Sequence, residues 1–116
     1  AALATLAERA PFAVAVSAPA ERLAAPVEAA AYFVCSEALA NTAKHAGATR
    51  ARCAVAVSDG RVCVEVADDG IGGADPADGS GLSGLRDRVE ALDGRLSVTS
   101  PAGVGTTVTA QFPFVS

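Results

Sequence analysis

What the sequence lacks narrows both its fold and its chemistry. It contains no Trp and no Met, and its aromatic residues are one Tyr and four Phe, so its core must be assembled mainly from small aliphatic side chains. Cysteine is scarce and odd in number: Cys35, Cys53 and Cys63 show no CxxC spacing, which argues against both a zinc site and a disulfide framework. Unpaired thiols are typical of proteins from a reducing cytoplasm.

Positive charge and long apolar runs are also missing. The formal net charge is -4 and no basic block occurs, so binding to nucleic acid, which depends on Lys and Arg at phosphates, is not expected. No apolar run approaches the roughly 18 residues that a membrane span needs. Glu8 and Arg9 interrupt the apolar N-terminus, which therefore does not resemble a signal peptide. We expect a cytoplasmic domain without direct membrane contact.

The 116 residues suffice for one domain with one core. Hydrophobic periodicity and the positions of Gly and Pro predict its helices and strands. Three helical segments are predicted. Residues 1–10 would be the end of a helix, and a long helix with Pro26 in its first turn would end near Ala46, with Gly47 as its cap. The third helix would run from Leu85 to Leu92. The predicted strands are Phe12 to Val16, a hairpin from Arg50 to Ala67, Arg95 to Ser100 and Thr106 to Phe112.

The hairpin carries a prediction about register. Asp59-Gly60 favours a two-residue type I′ turn, because both central residues must adopt positive φ. Such a turn fixes the pairing of the two strands and puts Cys53 and Cys63 on opposite faces of the sheet. These two cysteines are therefore not expected to form a disulfide with each other.

The long helix combines an apolar surface with one polar stripe. Residues 27–40 are apolar nearly all round, which predicts a buried helix. Glu37, Asn41, Lys44 and His45 project from one side of it. A carboxylate and an amide oxygen suit Mg²⁺ and a lysine suits a phosphate, but a solvated helix face explains the same pattern. The stripe alone leaves both interpretations open.

A second polar segment, residues 68–73 (DDGIGG), ends the hairpin. Asp68 continues the parity of the core-facing valines, so its side chain is predicted to point inward beneath the helix layer. A carboxylate placed there is costly unless a donor meets it, and an adenine amino group would be such a donor. The glycines would let the backbone approach the ring. An ordinary Asp-Gly turn explains Asp69 but not the inward Asp68.

Two glycine-rich segments complete the set. Residues 79–84 (GSGLSG) match GxGxxG, but they follow a polar loop instead of a strand and no βαβ unit surrounds them, so a dinucleotide-binding fold is rejected. Free amides ahead of a helix nevertheless suit a phosphate. Residues 103–107 (GVGTT) are, on their own, explained by a hairpin turn that leads into strand-favouring threonines.

Taken in order, these segments resemble the GHKL ATPase superfamily of gyrase, chaperone ATPases, histidine kinases and mismatch-repair proteins. SEALANTAKHAGA is similar to the N box, VADDGIGG to the G1 box, GSGLSGLRDRV to the G2 box and GVGTTV to the last glycine-threonine element. The residues of the N-box and G2-box segments most resemble those in the catalytic domains of NarL/DesK-type sensor histidine kinases. The resemblance implies an α+β two-layer sandwich of the Bergerat type, with a mixed, mainly antiparallel sheet covered by helices on one face.

The resemblance also implies roles for individual residues, with ATP and Mg²⁺ as cofactors. Asn41 would hold Mg²⁺, and Glu37 would act as a base or polarise the phosphoacceptor, besides being a second candidate metal ligand. Asp68 would accept from the adenine amino group. The other implied nucleotide contacts are Lys44 and His45 on the helix, Gly70, Ile71 and Gly72 at the ring, Gly81, Leu82 and Gly84 at the phosphates, and Thr106 or Thr107 at the adenine end.

A kinase of this type transfers the ATP γ-phosphate to a histidine on a separate dimerisation domain, for relay to a response regulator. His45 is the only histidine and lies inside the N box, so the acceptor is expected on a segment outside this sequence. The domain is taken as residues 1–116, and its residues 1–10 would be the stub of that upstream segment. A parent protein with a membrane anchor and one without are both compatible with this interpretation. The implied partners are therefore the dimerisation domain and a NarL-type response regulator. The fragment itself is expected to be a monomer with little transfer activity and a short ATP lid at about residues 75–80.

Two alternatives remain open. A serine kinase of the anti-sigma-factor type carries the same boxes and would act on a partner protein without a histidine helix. An inactive nucleotide-binding interaction module is the other, although the presence of Glu37, Asn41 and Asp68 argues against it. Phosphorylation of a serine antagonist would favour the first, and ATP-dependent transfer to a supplied dimerisation domain would exclude the second.

Overall fold

The chain forms one sheet with helices packed against it. The computed structural model describes residues 8–9, 13–17, 23–45, 50–70, 82–100, 103 and 105–113, with the side chains of 43–45 and 82–83 outside the described set. In chain order the elements are β1 (Ala13–Ser17), α1 (Ala25–His45), β2 (Arg50–Ser58), β3 (Arg61–Asp68), α2 (Leu82–Glu90), β4 (Arg95–Thr99) and β5 (Thr107–Pro113). Glu8 and Arg9 are helical, and the rest of residues 1–10 lies outside the described residues, as does Gly47.

The sheet is mixed, with strand order β1-β2-β3-β5-β4. Strand β1 runs parallel to β2, and every other neighbouring pair is antiparallel. Both helices cover the same face, because core-facing residues such as Val64 and Ala110 are fully buried whereas Arg52 and Ser97 on the other face are exposed. The predicted two-layer α+β architecture with a mainly antiparallel sheet is confirmed.

The predicted hairpin register is also confirmed. Asp59 and Gly60 adopt φ of 53° and 72°, as a type I′ turn requires. Val57 then pairs with Val62, and the pairing continues without a bulge to Ala51 opposite Asp68. A turn that demands positive φ at both positions thus sets the face on which each following side chain lies, including that of Asp68.

Helix α2 begins earlier than predicted. It runs from Leu82 to Glu90 and includes Gly84, whereas a start at Leu85 was expected. A single glycine costs a helix only about 1 kcal/mol, which the burial of Leu85 and Val89 against the sheet offsets. The helix ends where Asp93 takes a φ of 60° and the Gly94 amide donates to the Val89 carbonyl over 3.0 Å. Strand β1 extends one residue further than predicted, to Ser17, and its predicted first residue, Phe12, lies outside the described residues.

The prediction that α1 is buried all round is wrong. Val34 and Leu39 lie on its inner side and are buried, but Ala29, Tyr32 and Ala40 are exposed. Alanine has the highest helix propensity, and exposing its small side chain to water costs little free energy. An alanine-rich helix face is therefore apolar in sequence without being buried. One face of α1 therefore packs on the sheet and the other faces solvent.

The positions of the three thiols give a direct test of the two-layer arrangement. Cys35 and Cys53 are buried between α1 and the sheet, whereas Cys63 is half-buried on the outer face. The hydrogen bond with Cys53, together with burial, raises the pKa of the Cys35 thiol, and burial with the nearby Glu65 carboxylate raises the pKa of Cys63. Under native conditions iodoacetamide is expected to modify Cys63 first, and Cys35 and Cys53 at least about tenfold more slowly, since they need an opening of the core.

Mass spectrometry of the alkylated peptides measures these rates. The alkylation rate of Cys63 should keep rising with pH up to higher pH values than that of an exposed thiol. The reason is that its raised pKa lowers the thiolate fraction at any given pH. In denaturant all three thiols should react alike. Rapid labelling of Cys35 in the folded protein would contradict the placement of α1 on the sheet.

Candidate functional site

The site is organised around the carboxylate of Asp68, the last residue of β3. Its Oδ2 accepts a hydrogen bond of 2.9 Å from the Thr42 hydroxyl of α1. Its Oδ1 accepts from the main-chain amides of Gly70 at 2.8 Å and Thr106 at 3.3 Å. The inward orientation predicted from strand parity is therefore confirmed, and the cost of placing a carboxylate under the helix is met by donors from three separate segments.

The backbone around Asp68 ties the G1 segment to its neighbours in the sheet. The Asp68 amide donates to the Thr106 carbonyl at 2.9 Å, so the end of β3 is held to the residue that leads into β5. On the other side, the Arg50 amide donates to Asp69 Oδ1 at 3.1 Å. Asp69 thus ties the end of β3 to the start of β2. Among the described residues, the bond to an amide two residues on, which is typical of an Asx turn, is made by Asp68, whereas the Asp-Gly turn interpretation assigned the turn to Asp69.

The last glycine-threonine element is more than a hairpin turn. Gly105 has a φ of 97°, and a Cβ built on it would lie 2.2 Å from the Asp68 carbonyl oxygen, so only glycine fits there. The following Thr106 is buried, and its hydroxyl lies 2.6 Å from Ser100 Oγ. Thr107 is half-buried at the start of β5. This close approach of Gly105 is what brings the Thr106 amide to the Asp68 carboxylate.

Asn41 and Thr42 form the helix side of the site. Both are buried, at 7% and 3% exposure, and the other buried residues in the described part of the helix are apolar. The Asn41 Oδ1 has no hydrogen-bond partner among the described residues. A buried amide oxygen without a donor is costly, and it is a suitable ligand for a hard cation or an acceptor for a bound molecule. Glu37, one turn earlier, is half-buried.

The remaining predicted nucleotide contacts belong to the glycine-rich segment before α2, to the segment after Gly70 and to the end of α1. Leu82 and Gly84 belong to the first turn of α2, so the prediction that they form a loop ahead of the helix is wrong. Gly84 is exposed, and a Cβ there would meet no atom within 4 Å. Their contact with phosphate stays a prediction. Ile71, Gly72, Gly81 and the lid segment 75–80 lie outside the described residues, as do the side chains of Lys44 and His45.

Thr42 is the residue at this site that the sequence analysis missed. It adjoins Asn41 but lies outside the four-residue polar stripe of α1, and the sequence analysis gave it no role. Its signal was available: a threonine at a core-facing helix position needs a hydrogen-bond partner, and the inward Asp68 needed a donor. The two requirements are met by one contact between them.

The match that decides the family spans residues 27–116. Over this range, which includes α1 from Val27 onward, the Asp68 region, α2 and the last glycine-threonine element, the sequence fits the model of the "Histidine kinase-, DNA gyrase B-, and HSP90-like ATPase" family. The chain belongs to this ATPase family. The resemblance inferred from the four segments is confirmed, and so is the fold it implied.

Relatives within this ATPase family are sensor kinases. The chain is 33% identical over 98 residues to the oxygen sensor histidine kinase NreB of Staphylococcus carnosus, covering 81% of this chain and 28% of that protein. It is 40% identical over 80 residues to the nitrate/nitrite sensor protein NarQ of Escherichia coli, covering 66% and 14% respectively. The chain thus spans less than a third of the length of either relative.

Solved structures agree with these relatives. The blue-light activated histidine kinase of Erythrobacter litoralis EL346 superposes with a TM-score of 0.80 at 26% identity, over 96% of this chain and 40% of that one. The histidine kinase AdeS of Acinetobacter baumannii, at 15% identity and a TM-score of 0.75, shares the fold. The domain is therefore of the catalytic ATPase type found in two-component sensor histidine kinases. None of the helices in the described part of the chain has the length and apolar character to span a membrane.

Proposed function

We propose that this domain binds ATP with Mg²⁺ between α1 and the sheet and transfers the γ-phosphate to a histidine on a separate dimerisation domain. The observation that carries the proposal is the buried Asn41 Oδ1, which has no hydrogen-bond partner among the described residues. It adjoins Thr42, whose hydroxyl contacts the Asp68 carboxylate. A ligand that carries a cation at one end and an amino group at the other would provide a partner for both the Asn41 oxygen and the Asp68 carboxylate.

The residues present fit Mg²⁺ as a cation held jointly with the nucleotide. No group of three His, Cys, Asp or Glu side chains in the described ranges is arranged to hold a metal. Mg²⁺ commonly retains water and takes one or two protein oxygens with substrate phosphates, so Asn41, with Glu37 as a second candidate, suffices. When bound, Mg²⁺ would neutralise charge on the phosphates during transfer.

The adenine end is assigned to Asp68. Oδ1 is held by the Gly70 and Thr106 amides. Oδ2, whose donor among the described residues is Thr42, would offer its other lone pair to the adenine 6-amino group. Ile71 and Gly72 would lie against the ring, with Thr107 near it. The phosphates would be met by Lys44, His45, Gly81, Leu82 and Gly84, through side chains and the free amides at the start of α2.

The partners follow from the same assignment. The half-buried Glu37 would accept the proton of the acceptor imidazole or orient it for attack on the γ-phosphate. The acceptor histidine would belong to a dimerisation domain of the same kinase, and a NarL-type response regulator would receive the phosphate afterward. We place the domain in the cytoplasm, where ATP is available and where the free thiols Cys35, Cys53 and Cys63 stay reduced.

Transfer from γ-labelled ATP to a purified dimerisation domain, taken from NreB or NarQ or fused to this chain, tests the proposal. We expect a base-stable, acid-labile label that requires Mg²⁺ and is absent when the acceptor histidine is replaced. Asn41→Ala should lower the transfer rate by about a hundredfold, because it removes a metal ligand while burying no new polar group. The matched control is Thr109→Val, on the opposite face of the sheet, which should transfer normally.

Other outcomes separate the alternatives. A base-labile label on serine of an added partner protein would support a kinase of the anti-sigma-factor type and contradict histidine transfer. Normal transfer by Asn41→Ala would overturn the metal assignment. A correctly folded chain that binds ATP but transfers phosphate to no acceptor would be an inactive nucleotide-binding interaction module.

A further inference from the structure

The Thr42 hydroxyl lies between two acceptors. Its oxygen is 3.0 Å from the Ala38 carbonyl and 2.9 Å from Asp68 Oδ2. A hydroxyl has one hydrogen, so it cannot donate fully to both. The Ala38 carbonyl lies inside α1, where it also accepts the helical amide four residues on. The carboxylate is the stronger acceptor because it is charged, so the proton is directed at Asp68.

This contact controls one particular oxygen of the carboxylate. Oδ1 is held by the main-chain amides of Gly70 and Thr106, which no side-chain substitution at those positions removes. Oδ2 is held by the Thr42 hydroxyl, the donor that the described residues offer it. Thr42 is only 3% exposed, so solvent is poorly placed to replace its hydroxyl. Among the described residues, Thr42 is therefore the one that limits rotation of the carboxylate about its Cβ–Cγ bond from the helix side.

We propose that Thr42 is a positioning residue that sets Asp68 Oδ2 for the 6-amino group of adenine and so strengthens selection of adenine over purines that lack this donor. The inference rests on the proposed function, in which Asp68 recognises adenine. By donating to Oδ2, the hydroxyl occupies one lone pair of that oxygen and fixes the direction of the other. A 6-oxo or unsubstituted purine offers no hydrogen to that lone pair and gains nothing from this arrangement.

The test pairs a change in the protein with a change in the nucleotide. Affinities of the chain for ATP and for purine riboside triphosphate, which lacks the 6-amino group, are measured by calorimetry with Mg²⁺. Thr42→Val removes the hydroxyl and keeps the shape, so ATP should bind about tenfold more weakly while purine riboside triphosphate changes by less than about threefold. Thr42→Ser restores the hydroxyl and should recover most of the discrimination between the two nucleotides.

The control for folding and for the chemical change is Thr109→Val, which lies opposite Glu65 on the outer face of the sheet and should alter neither affinity. Thermal unfolding checks that each variant is folded, and Thr42→Ala replaces Thr42→Val if the latter is not. Equal weakening of both nucleotides by Thr42→Val would indicate a merely structural role and overturn the proposal, as would unchanged ATP affinity. If the unaltered chain binds neither nucleotide, the proposed function itself fails and this role fails with it.

Discussion

Replacing Asp68 by Asn is expected to weaken ATP binding by about a hundredfold, which corresponds to roughly 3 kcal/mol. The substitution keeps the size of the side chain but leaves one acceptor and one amide donor where there were two acceptors. The amides of Gly70 and Thr106 both donate toward Oδ1, so the single oxygen of Asn must take that position. Its NH₂ group then faces Thr42 and the adenine amino group.

The two groups on that side respond differently. The Thr42 hydroxyl can rotate and accept, so the folded protein should lose little stability. The adenine amino group can only donate here, and in the variant it faces the NH₂ group of Asn, which is also a donor. The substitution should therefore lower ATP affinity more than it lowers stability. Calorimetric titration of ATP and Mg²⁺ into the variant and the parent measures it. Asp59→Asn is the matched control, because Asp59 lies in the exposed hairpin turn at a φ of 53°, which Asn tolerates.

Retention of parental affinity in Asp68→Asn would remove Asp68 from the nucleotide site. A loss of affinity accompanied by an equal loss in Asp59→Asn would instead point to a general effect of charge. Only a loss confined to position 68, with the unfolding temperature nearly unchanged, agrees with adenine recognition by this carboxylate.

Gly105→Ala is expected to have the largest effect on stability, lowering the free energy of unfolding by about 3 kcal/mol or more. Two causes combine. The φ of 97° is strained for any residue with a Cβ, and that Cβ would lie 2.2 Å from the Asp68 carbonyl oxygen, where neither backbone can yield without moving the other. The Thr106 amide would be displaced from the Asp68 carboxylate as well, so ATP affinity should fall together with stability.

Gly103→Ala separates the two causes. Gly103 also has a positive φ, of 81°, but a Cβ built on it meets no atom within 4 Å. It should therefore show the backbone penalty alone, about 1 to 2 kcal/mol, with ATP affinity unchanged. Urea unfolding of both variants at equal protein concentration gives the comparison. Equal losses in the two variants would show that the contact between Gly105 and Asp68 does not exist.

Local rules with few exceptions made parts of this fold predictable. The Asp59-Gly60 turn fixes a register, strand parity carries it to Asp68, and a carboxylate that faces inward requires donors, so the centre of the site followed from one turn. The order of the four segments then indicated the family and the architecture, which the match over residues 27–116 confirms. The role of each site residue stays a prediction.

Features that depend on packing were predicted less well. The start of α2 at Leu82 depends on Leu85 and Val89 reaching the sheet, which makes a glycine in the first turn acceptable. The outward face of α1 was misread because alanine has the same apolar character whether it is buried or exposed. Thr42 was missed because its partner is 26 residues away and on another element, and helix periodicity carries no information on such a contact.

Nucleotide binding where α1 meets the end of β3 is tested most directly by amide chemical shifts during a titration with ATP and Mg²⁺. The largest shift changes are expected at Thr42, Gly70 and Thr106, whose groups surround the Asp68 carboxylate. Gly60 in the hairpin turn and Thr109 on the outer face should hardly move. Saturable changes centred on the hairpin or the outer face, with Gly70 and Thr106 unaffected, would contradict it.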